Sequence, residues 1–332
     1  MKQELVIDAL TKGDVVNRVA EIVRDVYVFH EIGEKMADFI IEQQAKGEYD
    51  NLNEIKPFCS KLTADLRTIC NDKHIFVFYS PEEAHEVRAD KGLLSAEEIA
   101  LQKAAYKLWY ERQNNGFQKV EILPGNIGYL KLNIFPHVHG AETCAHAMGF
   151  LAHANAIIID LRDNGGGEGL GDFLSSYFFT PERVLLGGAR FRDSSQNSES
   201  YTLPFVPGKR LPDIDLYILL SSRSFSAAEA FAYDLQQLKR AVIVGENSKG
   251  GAHPIDVLIV KGDILTQVPI GSSYNPISKT NWEGMGVTPD IKTTEEAALN
   301  TAHITALENV IKKTTDKDYK QELQKILESI IQ

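Results

Sequence analysis

The sequence predicts a mixed α/β fold (α/β, α+β) in three stretches: a helical N-terminal domain over residues 1–115, an α/β core over 116–292, and C-terminal helices over 293–332 packed on that core. Three observations carry this. Apolar residues recur at three- and four-residue steps through the first 72 positions; strand-like runs alternate with helical stretches after residue 116; and from Thr293 onward the chain is helical and laced with charge.

In order, Val15, Val19, Ile22, Val23, Val26, Met36, Phe39 and Ile40 predict an amphipathic helix capped by Asp14 and broken near Gly33. Ile55, Phe58, Leu62, Leu66 and Ile69 repeat the spacing for a second helix. The apolar, β-prone run 75–79 follows Asp72-Lys73-His74. Ser95-Ala96-Glu97-Glu98 forms a capping box and starts a helix that ends before Asn115-Gly116. Residues 117–123 and 127–132 read as strands joined across Pro124-Gly125-Asn126. Helix 140–153, strand 156–161, helix 169–179, strand 216–220, helix 227–239 and strand 241–244 then alternate, as a largely buried sheet requires. Residues 193–200 read as a polar loop.

Composition narrows the function. Of 332 residues, 43% are apolar and 24% charged, which is ordinary for a globular chain and excludes a disordered one. Lys+Arg 35 against Asp+Glu 46 leaves a net charge of −11, so phosphate backbones and anionic membranes are repelled and no nucleic-acid partner is expected. No run reaches the ~18 apolar residues of a membrane span. Cys59, Cys70 and Cys144 are too few and scattered for a disulfide framework or a CxxC metal site, and read as small buried hydrophobes. The start, MKQELVIDALTKGD, lacks the apolar core of a signal peptide, which favours a cytoplasmic protein or one trimmed to its mature start.

Four segments could carry chemistry. In the first, the strand at 216–220 enters Ser221-Ser222-Arg223-Ser224-Phe225-Ser226 and then a helix. Ser226 lies at the helix start, where unpaired N–H groups and the dipole stabilise a developing anion; equally, Ser226-x-x-Glu229 is a plain capping box. The second, Asp160-Leu161-Arg162-Asp163-Asn164 followed by Gly165, Gly166 and Gly167, ends a strand with glycines that let backbone N–H groups approach another group. It lacks the Gly-Lys-Ser/Thr and GxGxxG spacings of phosphate loops, leaving an oxyanion hole as the other reading. The third and fourth are glycine-rich turns: 245–253, with Lys249, Gly251 and His253, and 282–290, with Trp282 and Glu283. His137 and His139 form a His-x-His pair with no third ligand at a convincing spacing, so no metal is assigned.

Together and in this order, IGYLKL (127–132) with Phe135, IIIDLRDNGGG (157–167), SFSAAEAFAYDL (224–235), RAVIVGENSKGG (240–251) and WEGMGVTPD (282–290) resemble the C-terminal processing (tail-specific) serine peptidases, a family that includes the tricorn core protease and the interphotoreceptor retinoid-binding protein. DKHIFVFY (72–79) resembles that family's Asp-x-His motif. The resemblance implies a crotonase/ClpP-like core of stacked ββα units, a serine peptidase activity on peptide or protein substrates, and Ser226 as nucleophile. In the Ser–Lys branch a lysine stands where this chain has Gly251, with Lys249 displaced across Gly250. The chain therefore looks like the tricorn and retinoid-binding branch, which makes His74 the base and Glu283 its supporting acid. His253 and Lys249 are the alternative bases, and the N–H groups of Ala227 and of Gly165 or Gly166 the expected oxyanion hole. Residues 80–116 are too short for the PDZ module that processing peptidases carry.

An imidazole can accept a serine's proton at neutral pH, so the set is chemically coherent without a cofactor. The rival function implied by the resemblance is a non-catalytic carrier of a small apolar ligand, a retinoid or fatty acid, held in the interdomain cleft. Relatives of this kind are often exported to the periplasm or beyond.

Overall fold

The computed structural model describes residues 6–331. The first helix, α1 (Ala9–Val26), starts at Asp8, whose carboxylate accepts Thr11 N–H at 2.7 Å; the expected cap, Asp14, lies inside the helix. The break comes at residues 27–29, not near Gly33, which sits within α2 (His30–Ala45). A Cβ at Gly33 would fall on the Val23 carbonyl oxygen, so this glycine allows close approach of α1 and α2 and does not end a helix. Then come α3 (Ile55–Cys70), closed by Asn71 at φ 51, β1 (Phe76–Tyr79), α4 (Pro81–Asp90) and α5 (Ala96–Arg112). Ser95 caps α5 as expected: its N–H donates to Glu98 Oε2 at 2.9 Å, and Glu98 N–H donates to Ser95 Oγ at 3.3 Å.

The alternating region follows: β2 (Phe117–Leu123), β3 (Ile127–Leu132), α6 (Ala141–Phe150), β4 (Ala156–Asp160), α7 (Gly171–Ser176), β5 (Leu185–Phe191) and β6 (Ser198–Tyr201). After these run β7 (Asp215–Leu220), α8 (Ala227–Gln237), β8 (Val242–Gly245), β9 (Ile255–Lys261), β10 (Ile264–Pro269) and β11 (Gly271–Tyr274). The chain closes with β12 (Ile291–Lys292), α9 (Glu295–Lys313) and α10 (Lys317–Ile331). Strands β5, β6 and β11 form a three-stranded sheet in the order β11-β5-β6.

Two compact units emerge. The first comprises Met1–Tyr106, Ala189–Ser198 and His253–Ser273. It is more than the expected N-terminal helical domain, because β10 returns to pair antiparallel with β1, Phe76 opposite Gln267 and Val77 opposite Thr266, and β9 pairs with β10. Val15, Val19, Val23, Met36, Ile40, Phe58, Leu62 and Leu66 from α1–α3 and Val268 from β10 share its apolar core.

The second unit comprises Lys107–Gly188, Glu199–Ala252 and Tyr274–Gln332. Its six-stranded sheet runs β12-β8-β7-β4-β3-β2, parallel except where β2 meets β3. Strand periodicity sends alternate residues to opposite faces. Ile157, Ile159, Leu216, Ile218 and Leu220 pack with α6, α7 and α8 on one face, and Ala156, Ile158, Tyr217 and Leu219 pack with α9 and α10 on the other. The parallel strands β4 and β7 end at the turns that carry the glycines and Ser226.

Forcing a methyl group against backbone costs about 1–3 kcal/mol, more than the ~1 kcal/mol that alanine gains over glycine in a helix. Gly33→Ala is therefore expected to lower the midpoint of urea unfolding. A midpoint equal to or above the wild-type value would show that α1 and α2 do not need that approach.

Candidate active site

In the second unit, β7 leads into a turn stitched to the end of β4. Ser221 Oγ donates to Arg162 O at 2.6 Å, Ser224 Oγ to Leu161 O at 2.8 Å, and Phe225 N–H to Asn164 O at 3.0 Å. With the backbone fixed on both sides, Ser226 adopts φ 56 and ψ −118 at the start of α8. Such a conformation costs a non-glycine residue on the order of 1–3 kcal/mol and persists only where its surroundings over-determine it. Ser226 is half-buried, and Ala227 N–H is one of the first-turn donors for which a helix supplies no acceptor.

The glycine turn lies against this elbow. Gly166 has φ 111, and a Cβ there would sit 2.8 Å from Ser226 Cβ and 3.3 Å from Ala227 N. Asn164 organises the turn, with Nδ2 donating to Leu132 O at 2.9 Å and Oδ1 accepting Gly166 N–H at 2.9 Å. Gly166 N–H is thus engaged by Asn164, whereas Gly165 is exposed, with open space where a side chain would be.

Glu229 binds these parts to the second glycine-rich turn. Its carboxylate is fully buried and accepts Ser226 N–H at 2.9 Å, Ser248 Oγ–H at 2.5 Å, Gly250 N–H at 2.6 Å and Gly251 N–H at 2.9 Å. Burial pushes this carboxyl above its ordinary range against the pull of those donors. The Trp-Glu-Gly loop is fastened to the same turn: Trp282 Nε1 donates to Gly251 O at 2.8 Å, and Glu283 Oε2 accepts Ala252 N–H at 2.5 Å. Lys249 is exposed, its Nζ 4.5 Å from the centre of the Phe225 ring; a lysine base ordinarily needs a desolvated pocket or a second cation beside it.

In the first unit, Asp72 and His74 lie between α3 and β1, 2% and 5% exposed. Arg67 holds their loop, donating to Lys73 O at 2.8 Å and Ile75 O at 2.9 Å. His74 N–H donates to Asp72 Oδ1 at 2.9 Å, and Gln267 Nε2 donates to His74 O at 2.7 Å. His253, just before β9, has Nδ1 2.6 Å from Asp72 Oδ2.

The profile of peptidase family S41 matches residues 126–293, and that of the N-terminal domain of S41 peptidases in eukaryotic IRBP matches residues 9–108. This chain belongs to peptidase family S41. A carboxyl-terminal-processing protease of a Synechocystis species is 28% identical over 186 residues, covering 55% of this chain and 42% of its own length, so the chain spans less than half of that relative. Among solved structures, a Parabacteroides merdae protein described as a peptidase has a TM-score of 0.59 at 16% identity, covering 89% of this chain and 96% of its own. A Streptococcus agalactiae lipoprotein has a TM-score of 0.57 at 12% identity, covering 93% and 100%. The tricorn protease has a TM-score of 0.52 at 11% identity, covering 97% of this chain and 37% of its own. At these identities the structural likenesses speak to the fold alone.

Within the S41 core, Ser226, Ala227, the glycine turn, Glu229 and Glu283 all belong to one bonded cluster in the second unit, while His74 and His253 meet on Asp72 in the first. In the sequence Glu229 is only the reply in a capping box, and Asp72 and Asn164 stand there as motif positions without a role of their own. The signal for each was its place beside a candidate residue, two or three positions away. The rings of His137 and His139 lie tilted to each other with centres 5.3 Å apart, and among the described residues they join no cluster of three or more metal-ligating side chains.

Two substitutions test this cluster. Gly166→Ala puts a methyl group onto Ser226 in a backbone conformation that side chains rarely adopt, and is expected to cost about 1–3 kcal/mol in guanidinium unfolding; a loss near zero would mean the turn can retreat from the elbow. Glu229→Gln faces backbone N–H donors with an amide N–H, and is expected to lower stability by about 1–3 kcal/mol for each donor left unmet. Thermal unfolding of the variant measures this, and wild-type stability would deny Glu229 its role.

Proposed function

We propose that this chain is a serine peptidase in which Ser226 attacks the scissile carbonyl, His74 is the general base and Glu283 the supporting carboxylate. The observation that carries the reading is the strained Ser226 backbone at the head of α8, with Gly166 packed on its Cβ. A serine needed only for capping has no reason to leave extended backbone.

In this reading His74 accepts the Ser226 proton as Oγ bonds to the carbonyl carbon. Negative charge moves to the substrate oxygen, which the N–H groups of Ala227 and Gly165 receive. His74 then returns the proton to the departing amine, leaving an ester on Ser226. Water, deprotonated by the same imidazole, cleaves the ester and restores the hydroxyl. Preorganised backbone donors are worth roughly a hundredfold or more in rate each, because they need no reorganisation as the charge forms. Glu283 accepts the N–H of Ala252 and so braces the turn that ends at His253, which is compatible with a carboxylate that supports the site without touching substrate. Peptide or protein chains are the substrate class that the family relationship supports.

A fluorophosphonate probe tests the nucleophile: wild type is expected to be labelled and Ser226→Ala not. His74→Ala is expected to lower peptide turnover by about 10⁴-fold, as loss of a triad member does, with Lys249→Ala close to wild type. A dead Lys249→Ala beside an active His74→Ala would transfer the base to the lysine. Absence of probe labelling in wild type, together with saturable quenching by a retinoid, is the behaviour of a carrier and would overturn the peptidase reading.

A further inference from the structure

The main chain of His74 is pinned at both ends by side chains: its N–H by Asp72 at 2.9 Å and its carbonyl oxygen by Gln267 at 2.7 Å. The first is the local bond of an Asx turn; the second comes from a strand 193 positions away. Asp72 in turn ties its own loop to two remote segments. Besides His74, its Oδ2 accepts Tyr27 O–H at 3.1 Å from the end of α1 and lies 2.6 Å from His253 Nδ1, just before β9. An ionised carboxylate is acceptor-only, so this arrangement places the His253 proton on Nδ1. The ring plane of His253 is fixed as well: Phe29 meets it edge-on with ring centres 5.6 Å apart, and Tyr27 meets Phe29 edge-on at 6.0 Å.

A carboxylate 2% exposed is costly unless donors surround it. Burial pushes the Asp72 carboxyl up, but the bond and charge of His253 and the bond from His74 outweigh this and hold it below its usual range. If His253 is lost, the acceptor that fixes the His74 N–H loses its strongest support.

We infer that Tyr27, Asp72 and His253 form a clamp that positions His74, with His253 acting through Asp72 as a positioning residue and not as a second base. The inference rests on the peptidase reading only for the task of His74. Angstrom-scale placement of a reacting group can be worth a hundredfold in rate, which is the reason for holding a loop residue at both ends.

The test uses the full chain with two substitutions at one position. His253→Asn keeps a side-chain N–H where Nδ1–H stood; His253→Ala removes it. Peptide turnover, corrected for the folded fraction from near-ultraviolet circular dichroism, is expected to show kcat down on the order of a hundredfold for His253→Ala with KM little changed, and most of that loss recovered by His253→Asn. A folded His253→Asn as inactive as His253→Ala would show that the imidazole itself is required, and wild-type kcat in both would show that the bond to Asp72 positions nothing; either result overturns the inference. If His253→Ala does not fold, Tyr27→Phe is measured instead: it keeps the ring contacts and removes one donor, and is expected to lower kcat several-fold at constant KM, whereas unchanged kcat overturns the clamp. If wild type shows no Ser226-dependent turnover, the peptidase reading fails on its own. The clamp is then read from the amide proton of His74 by nuclear magnetic resonance, expected to shift in His253→Ala and to stay in place in His253→Asn; an unmoved signal in His253→Ala overturns it.

Discussion

The second unit depends on a buried carboxylate that, among the described residues, forms no ion pair. Glu229 takes four hydrogen bonds from residues 226, 248, 250 and 251, so one side chain fixes the entry to α8 and the glycine-rich turn that follows β8. A charge out of water costs several kcal/mol, and bonds to a charged group return roughly 1.5–3 kcal/mol each. Its four donors offset the desolvation cost, and the arrangement gains definition because none of them can be withdrawn without leaving a buried group unmet. Any shift of one bonded segment leaves a donor or the carboxylate unmet, which ties the segments to one arrangement.

That definition makes the Ser226 backbone tenable. A residue at φ 56 and ψ −118 relaxes unless both flanks are held. Upstream, the holding is done by Ser221, Ser224 and Phe225, which bond to Arg162, Leu161 and Asn164; downstream it is done by Glu229. Gly166 fills the remaining space, and its lack of a side chain is what lets two turns from parallel neighbours β4 and β7 meet at van der Waals distance. The strain is local, and its support reaches through four loops.

Much of the fold was legible because the pattern was local. Helical spacing at Ile55–Ile69, the Ser95 capping box, the turn at 124–126 and the alternation from 117 to 244 each follow from short-range chemistry, and those elements are present within a few residues of expectation. The exception is 185–201, where β5 was not expected and β6 takes in the last residues of the expected polar loop 193–200. What escaped was set by distant contacts. Gly33 looks like a helix breaker until α1 is known to lie against it. Asp14 and Asp8 are equally good caps by residue type, and only the bond to Thr11 distinguishes them. The assignment of 253–273 to the first unit depends on β1 pairing with residues almost two hundred positions away, for which no window of sequence holds a signal. At the site, residue types pointed to Ser226, His74 and Glu283, but the partners of Glu229 and Asp72 come from backbone N–H groups and remote side chains, which residue types do not announce.

The chain contains its own control for the hardest ambiguity. Three serines stand at helix starts with a glutamate three positions on: Ser80 with Glu83, Ser95 with Glu98, and Ser226 with Glu229. Ser80 caps α4 from extended backbone, φ −152, and its Oγ accepts Glu83 N–H at 3.1 Å. Ser95 and Glu98 exchange bonds on an exposed surface. Both are what capping alone requires. Ser226 departs in each respect that capping does not explain: its backbone is left-handed, and its glutamate is buried and committed to three donors outside the helix. The same four-residue pattern therefore has two meanings in one molecule. What separates them is where the glutamate sits: on an exposed surface at α5, where it bonds to Ser95, and in a buried knot of remote donors at α8.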